Sequence, residues 1–146
     1  MSTKTLECSS KGDTRFSAFS AKVKVFGKED SIENHYQLSK RFLVGGFEVR
    51  PQTFRDAKGK APDFFSVGEM NFPTDMLGQW YKMLWLKYLD EHPELVAYAK
   101  GFDEFTDMFR GKAINCQADA IRQYVKEGRE SILRDCLPFL DVLKSG

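Results

Sequence analysis

The sequence predicts a mainly helical α+β fold, a single domain over residues 1–146 with a small β element near its N-terminus. Three observations predict it. Residues 16 to 26 alternate, with Phe19, Ala21, Val23 and Val25 on one side and Ser20, Lys22 and Lys24 on the other. That is the period of a half-buried strand. Residues 74 to 91 place Leu77, Trp80, Tyr81, Leu84, Trp85 and Tyr88 at helical spacing. The chain of 146 residues, 42% hydrophobic and 29% charged, is long enough to bury a core and too apolar to be disordered.

The remaining elements follow in chain order. Residues 1 to 11 are polar and read as loose. After the strand, Gly27-Lys28 turns the chain, and a helix is expected from Asp30 or Ser31 to about Val44, stopped by Gly45-Gly46. Residues 47 to 73 are mixed, punctuated by Pro51, Gly59, Pro62 and Pro73, with "RDAKGKAPD" as a loop. Thr74 or Asp75 would cap the strong helix, and His92-Pro93 breaks it. Pro93 suits the first turn of a short helix ending at Gly101. "FDEFTDMFRGKAIN" reads as loop or broken helix. Helices are then expected over about Cys116 to Glu127 and Arg129 to Leu143, the second bent or interrupted by Pro138.

Composition excludes several functions. A net charge of +1, from 22 basic and 21 acidic residues, gives no broad electrostatic case for nucleic acid or membranes. No GxGxxG, P-loop or GxSxG occurs, which argues against a Rossmann-type enzyme. Cys8, Cys116 and Cys136 form no CxxC or Cys/His cluster, so no metal is expected. Reduced thiols, no bilayer-length apolar run and no signal-peptide core point to the cytoplasm.

Glu33 is the residue that raises chemistry. On the expected helix, Glu33, Gln37 and Lys40 share a line, with Tyr36 beside it. Carboxylate, aromatic ring and cation are the group types that position and cleave a sugar–base bond. The bland alternative is a capping box over Asp30-Ser31-Ile32-Glu33, with Glu33 bonding back to the N-cap. Lys40 and Arg41 would then be a solvated face. Composition and spacing leave both roles open.

The stretch "RFSAFSAKVKVFGKEDSIENHYQLSKRF" resembles the opening motif of the NADAR family, NAD- and ADP-ribose-associated proteins with the YbiA-like fold. Members typically show F-S-N-F, a strand ending near Gly, then S-x-E-H-x-Y/F-Q-x-x-K-F. Phe16, Ser17, Phe19, Gly27, Glu33, Tyr36, Gln37, Lys40 and Phe42 occupy those positions here, with Asp13 three residues before Phe16. Met83, Leu84, His92, Pro93 and Leu95 fit a second family segment. The C-terminal third departs: Asp107, Phe109, Gly111, Lys112 and Asn115 look like a shortened version of an acidic, Trp-Gly and Asn-bearing segment. Asn34 stands where the family has His after Glu, and His35 is shifted by one.

The resemblance implies an N-glycosidase acting on a ribosylated base, an ADP-ribosylated base or a phosphoribosyl compound, needing no cofactor. Glu33 would be the catalytic carboxylate, joined by Asp107. Phe16, Ser17 and Phe19 would line the pocket, Lys40 would face phosphate, and Asp107 and Asn115 would close the site. Tyr36, Gln37, Phe109 and Lys112 complete the expected binding set, with Arg15 as either a phosphate grip or a surface arginine. The expected partners are a small or nucleotide-derived substrate, including a modified nucleic-acid base, with no membrane; the oligomeric state is undetermined. The rival readings are a non-catalytic nucleotide or ADP-ribose binding module and a protein-interaction protein. His35, His92, Trp80 and Trp85 read as structural, and a Cys116 nucleophile lacks a matching histidine.

Overall fold

Alternating side chains build the first hairpin, as the sequence requires. The computed structural model describes residues 3–9, 11–106 and 117–145. Strand β1 is Thr5–Glu7, and a 3-10 turn at Thr14–Phe16 leads to β2, Lys22–Val25, and β3, Lys28–Ser31. β2 and β3 pair antiparallel. Val23 and Val25 point inward while Lys22 and Lys24 point out.

Helix α1 spans Ile32–Leu38 and ends at Ser39, well short of the expected Val44. Lys40–Val44 is instead strand β4, which pairs with β5, Phe47–Val49, through the Gly45-Gly46 turn. Both glycines have positive φ, 58° and 85°, as a tight hairpin turn demands. The glycines thus turn a hairpin rather than stop a helix. A short helix α2, Phe54–Ala57, opens on a Thr53/Asp56 capping box. Strands β6, Phe64–Val67, and β7, Met70–Phe72, follow, giving a sheet ordered β5-β4-β6-β7. The β content is therefore larger than the sequence suggests and extends past the N-terminal third.

The central helix α3, Leu77–Asp90, follows a 3-10 turn at Thr74–Met76, with no side-chain cap from Thr74 or Asp75. It is buried almost all round, from Trp80 and Tyr81 through Met83 to Leu89, as expected of a helix at the middle of a core. Trp80 donates from its indole to Ser39 Oγ at 3.2 Å, tying α3 to the end of α1. Pro93 starts α4, Pro93–Ala99, at its first turn. Next come β8, Glu104–Thr106, and α5, Gln117–Arg122, which runs into a π-helical turn at Gln123–Glu127. Helix α6, Arg129–Asp135, and helix α7, Leu140–Lys144, are separated by a 3-10 turn at Leu137–Phe139, where Pro138 interrupts the expected single helix.

The N-terminus is not loose throughout. β1 pairs in parallel with β8, Leu6 against Phe105, and Leu6 and Cys8 are buried. A pairing across about a hundred residues has no local signature. The Gln117 carboxamide fixes this corner: its Oε1 accepts from Ala18 N at 2.7 Å, and its Nε2 donates to Cys8 O. His35 fastens α1 to β2, with Nε2 2.8 Å from Val23 O.

Two predictions follow from these ties. Gln117→Ala strands the buried Ala18 N–H and removes the bond to Cys8 O, so it should cost about 1–3 kcal/mol in urea unfolding. A loss under about 0.5 kcal/mol would mean the bridge is dispensable. Burial pushes the pKa of His35 down, partly countered by its bond to Val23. The unfolded chain then binds the proton more readily, so stability should fall as pH drops below about 6.5 toward the lower native value, and level off above it. His35→Gln should flatten that part of a Tm-against-pH curve; an unchanged slope would remove His35 from the titration.

Candidate active site

Ser31 caps α1: its Oγ accepts from Asn34 N at 3.1 Å. Asp30 Oδ1 reinforces the start by accepting from Ser31 N and from Asn34 Nδ2, at 2.8 and 2.9 Å. Asn34, not Glu33, therefore occupies the third helical position, and the capping-box role for Glu33 is corrected. The Glu33 backbone N–H instead bonds Ala18 O at 3.0 Å. Its carboxylate is left for other work.

That carboxylate lies in a buried polar cluster. Glu33 is only 8% exposed, and its Oε2 accepts from Gln37 Nε2 at 3.0 Å, the i,i+4 contact its spacing predicts. Gln37 is itself buried, and its Oε1 has no hydrogen-bond partner. Tyr36 is buried beside them, its ring edge-on to Tyr81 with centroids 5.2 Å apart.

Lys40 joins this cluster from β4 rather than from a longer helix. Its Nζ lies 5.5 Å from the Tyr36 ring centroid and donates to Ala57 O and Lys60 O, at 3.2 and 3.1 Å. An ammonium has three donors, so one is left over. Burial pushes the Lys40 pKa down, and the Glu33 charge pulls it back up. The solvated-face reading of Lys40 is therefore corrected: the side chain is buried and pins the 57–60 loop.

The N-terminal motif residues divide. Phe16 is fully buried and stacks on Tyr98 at 6.3 Å, so its ring is core packing rather than an open wall. Ser17 is also fully buried, its Oγ accepting from Phe19 N at 3.3 Å. Phe19 remains open, 38% exposed, one residue beyond the Ala18 carbonyl that holds Glu33. Its ring meets Phe54 edge-on at 5.7 Å, with Lys58 Nζ 4.8 Å above it. Phe54 and Lys58 escaped the sequence reading, because "RDAKGKAPD" looks like featureless loop. The Thr53-x-x-Asp56 capping box just ahead was the available signal.

Arg15 forks onto Asp13, with Nε–Oδ1 at 2.9 Å and Nη2–Oδ2 at 2.6 Å, and its guanidinium lies 4.5 Å from the Tyr98 ring centroid. The arginine holds the Asp13 carboxyl below its ordinary pKa. An anionic ligand at Arg15 would have to compete with that pair. Asp107, Phe109, Lys112 and Asn115 lie outside the described residues.

Two open cavities of about 280 and 470 Å³ border the Asp30, Asn34 and Leu38 side of α1, and Glu33 lines neither. The buried carboxylate, amide and ammonium mark the candidate active site better than empty volume does, since such groups are costly to bury without purpose.

The family model for the DarT1-associated NADAR antitoxin matches residues 1–144. The chain belongs to the NADAR family. A comparison with curated proteins finds no match. Glu33, Tyr36, Gln37 and Lys40 are four side chains that α1 and β4 bring together. Among the described residues, no helix is long and apolar enough to cross a membrane.

The buried ammonium makes a stability prediction for this NADAR protein. Lys40→Ala removes both carbonyl bonds; Ala57 O keeps its bond from Lys60 N, and Lys60 O loses its ammonium donor. Thermal or urea unfolding should show a loss of about 1–3 kcal/mol. A change within about 0.5 kcal/mol would indicate that water replaces the ammonium without cost.

Proposed function

We propose that this NADAR protein is an N-glycosidase that removes ADP-ribose from a modified nucleic-acid base, with guanine the first base to test and Glu33 as the catalytic carboxylate. The observation that carries the reading is the buried Glu33 carboxylate, relieved of capping by Ser31 and held by Gln37 beside the Lys40 ammonium. The family supports it. An antitoxin must undo or block what its toxin does, and cleavage of a base–ribose bond reverses the attachment of ADP-ribose to that base.

In the proposed reaction the bond between C1′ of the ribose and the base nitrogen breaks. Its electron pair leaves with the base, which takes up a proton. Positive charge develops at C1′ and the ring oxygen, and the Glu33 carboxylate stabilises it. Water then adds its oxygen to C1′ and gives a proton to Glu33. Hydrolysis of this kind needs no bound cofactor. Gln37 Oε1, buried without a partner, is suited to accept from a ribose hydroxyl. The remaining Lys40 donor suits a phosphate oxygen, and Phe19 with Phe54 offers faces for a ring. Asp107 and Asn115 are proposed to close the site, with Phe109 and Lys112 contacting substrate.

Glu33→Gln tests the assignment. The amide still accepts from Gln37, so the melting temperature should hold within a degree or two, a stability change of a few tenths of a kcal/mol. Turnover of an ADP-ribosylated guanosine should fall roughly 100-fold or more, because the amide carries no charge. Full activity in the variant would end the catalytic role. Tight binding of ADP-ribose by the parent without any turnover would instead establish a binding module.

A further inference from the structure

We propose that the β4–β5 hairpin joins two copies of this chain, their β5 strands pairing antiparallel, edge to edge, about Val49. The pairing stands whether or not Glu33 is catalytic. Within the hairpin Phe42 lies opposite Val49, Leu43 opposite Glu48 and Val44 opposite Phe47. Opposed residues share a face, and successive residues of a strand alternate between faces. One face is therefore wholly apolar, made of Phe42, Val44, Phe47 and Val49. Phe47 is 77% exposed and Val44 62%, and Val49 is exposed as well. Apolar side chains gathered on one exposed face mark a contact surface.

β5 is also an open edge. The sheet runs β5-β4-β6-β7, so among the described strands β5 pairs with β4 alone. In a hairpin closed by two residues the flanking pair, here Val44 and Phe47, exchange both backbone bonds. Backbone polarity alternates from there, so the N–H and C=O of Glu48 point away from β4, and those of Arg50 follow the same period. Pro51 biases Arg50 toward an extended backbone, which carries the edge past Val49. Outward-facing peptide groups in an unpaired edge are a template for another strand.

The side chains select a second copy as that strand. About a two-fold axis at Val49, Glu48 lies opposite Arg50 of the other copy, Val49 opposite Val49, and Phe47 opposite Pro51. The apolar pairs all fall on the apolar face, and the opposite charges meet on the other. Glu48 and Arg50 already share that face, since Arg50 Nε donates to Glu48 Oε2 at 2.8 Å within one copy. The neighbouring symmetric register, centred on Glu48, would set Glu48 against Glu48, and like charges directly opposite are destabilising. Charge thus makes the strand complementary to itself in one register. The far edge, β7, offers Met70-Asn71-Phe72, with Phe72 packed on the core and no charge to set a register.

The test is sedimentation of the full chain over a concentration series. The parent should form a dimer of the 16.8 kDa chain as concentration rises. Arg50→Glu makes both attractive pairs repulsive, so the dissociation constant should rise roughly tenfold or more. Adding Glu48→Arg restores opposite charges and should restore the dimer, a recovery that damage to the hairpin would not give. Oxidation in a Cys116→Ser background reads the register, since Cys8 and Cys136 are buried. Val49→Cys faces its own copy across the axis, in a non-hydrogen-bonded pair with Cα atoms about 4.5 Å apart, and should crosslink into a covalent dimer. Val44→Cys, more exposed but off the edge, should not. A parent that stays monomeric at every concentration leaves the hairpin to a different partner and overturns the pairing. So does an Arg50→Glu dimer of parental affinity, or crosslinking at position 44 equal to that at position 49.

Discussion

The backbone of one residue, Ala18, organises the candidate site. Ala18 gives its N–H to the Gln117 carboxamide and its carbonyl to the N–H of Glu33. The same carboxamide reaches Cys8, so three distant parts of the chain meet at one buried amide. An unpaired polar group there would cost as much as several good contacts give, which makes the geometry all-or-none. The start of α1, and with it the Glu33 carboxylate, is placed by this bond set. A second anchor, Ile32 N to Ala21 O at 2.9 Å, stops the helix from pivoting.

The cluster that follows is expensive by construction. A carboxylate, two amide atoms and an ammonium lie in the interior, where burial disfavours charge. Lys40 offsets part of this by bonding two carbonyls of the 57–60 loop and by lying within the field of Glu33. What is not offset is Gln37 Oε1. Proteins seldom leave a buried amide oxygen unpartnered, and a catalytic or binding role is one of the explanations such an atom invites. The structural economy and the proposed chemistry therefore point to the same four residues.

Helix α1 has two working sides although it is seven residues long. Glu33 and Gln37, four apart, face the polar cluster, while Asn34 and Leu38, also four apart, line the cavities. The offset of one residue separates the buried polar cluster from the open cavities. His35 adds a third attachment, to β2, and burial keeps it from charging easily. A helix this short has little stability of its own, so its orientation is entirely a product of these contacts.

Much was legible locally. The alternation of Ala21, Val23 and Val25, the buried stripe of α3 and the start of α4 at Pro93 are each written within a few residues, where period and backbone chemistry act. The Glu33–Gln37 contact was legible too, because four residues is one helical turn. The place of Phe16 in the core, the pairing of β1 with β8 and the packing of Phe54 on Phe19 were not. Lys40 shows the reason most plainly. Its sequence position gave it the helical stripe, and it does reach Tyr36, but from a strand. Spacing constrains only what lies within about a turn of the chain. The carbonyls that hold its ammonium belong to Ala57 and Lys60, and the strand that pairs with its backbone contains Phe65. Those partners exist only once the chain has folded back, so burial and hydrogen bonding across the fold, not local period, decided what Lys40 is.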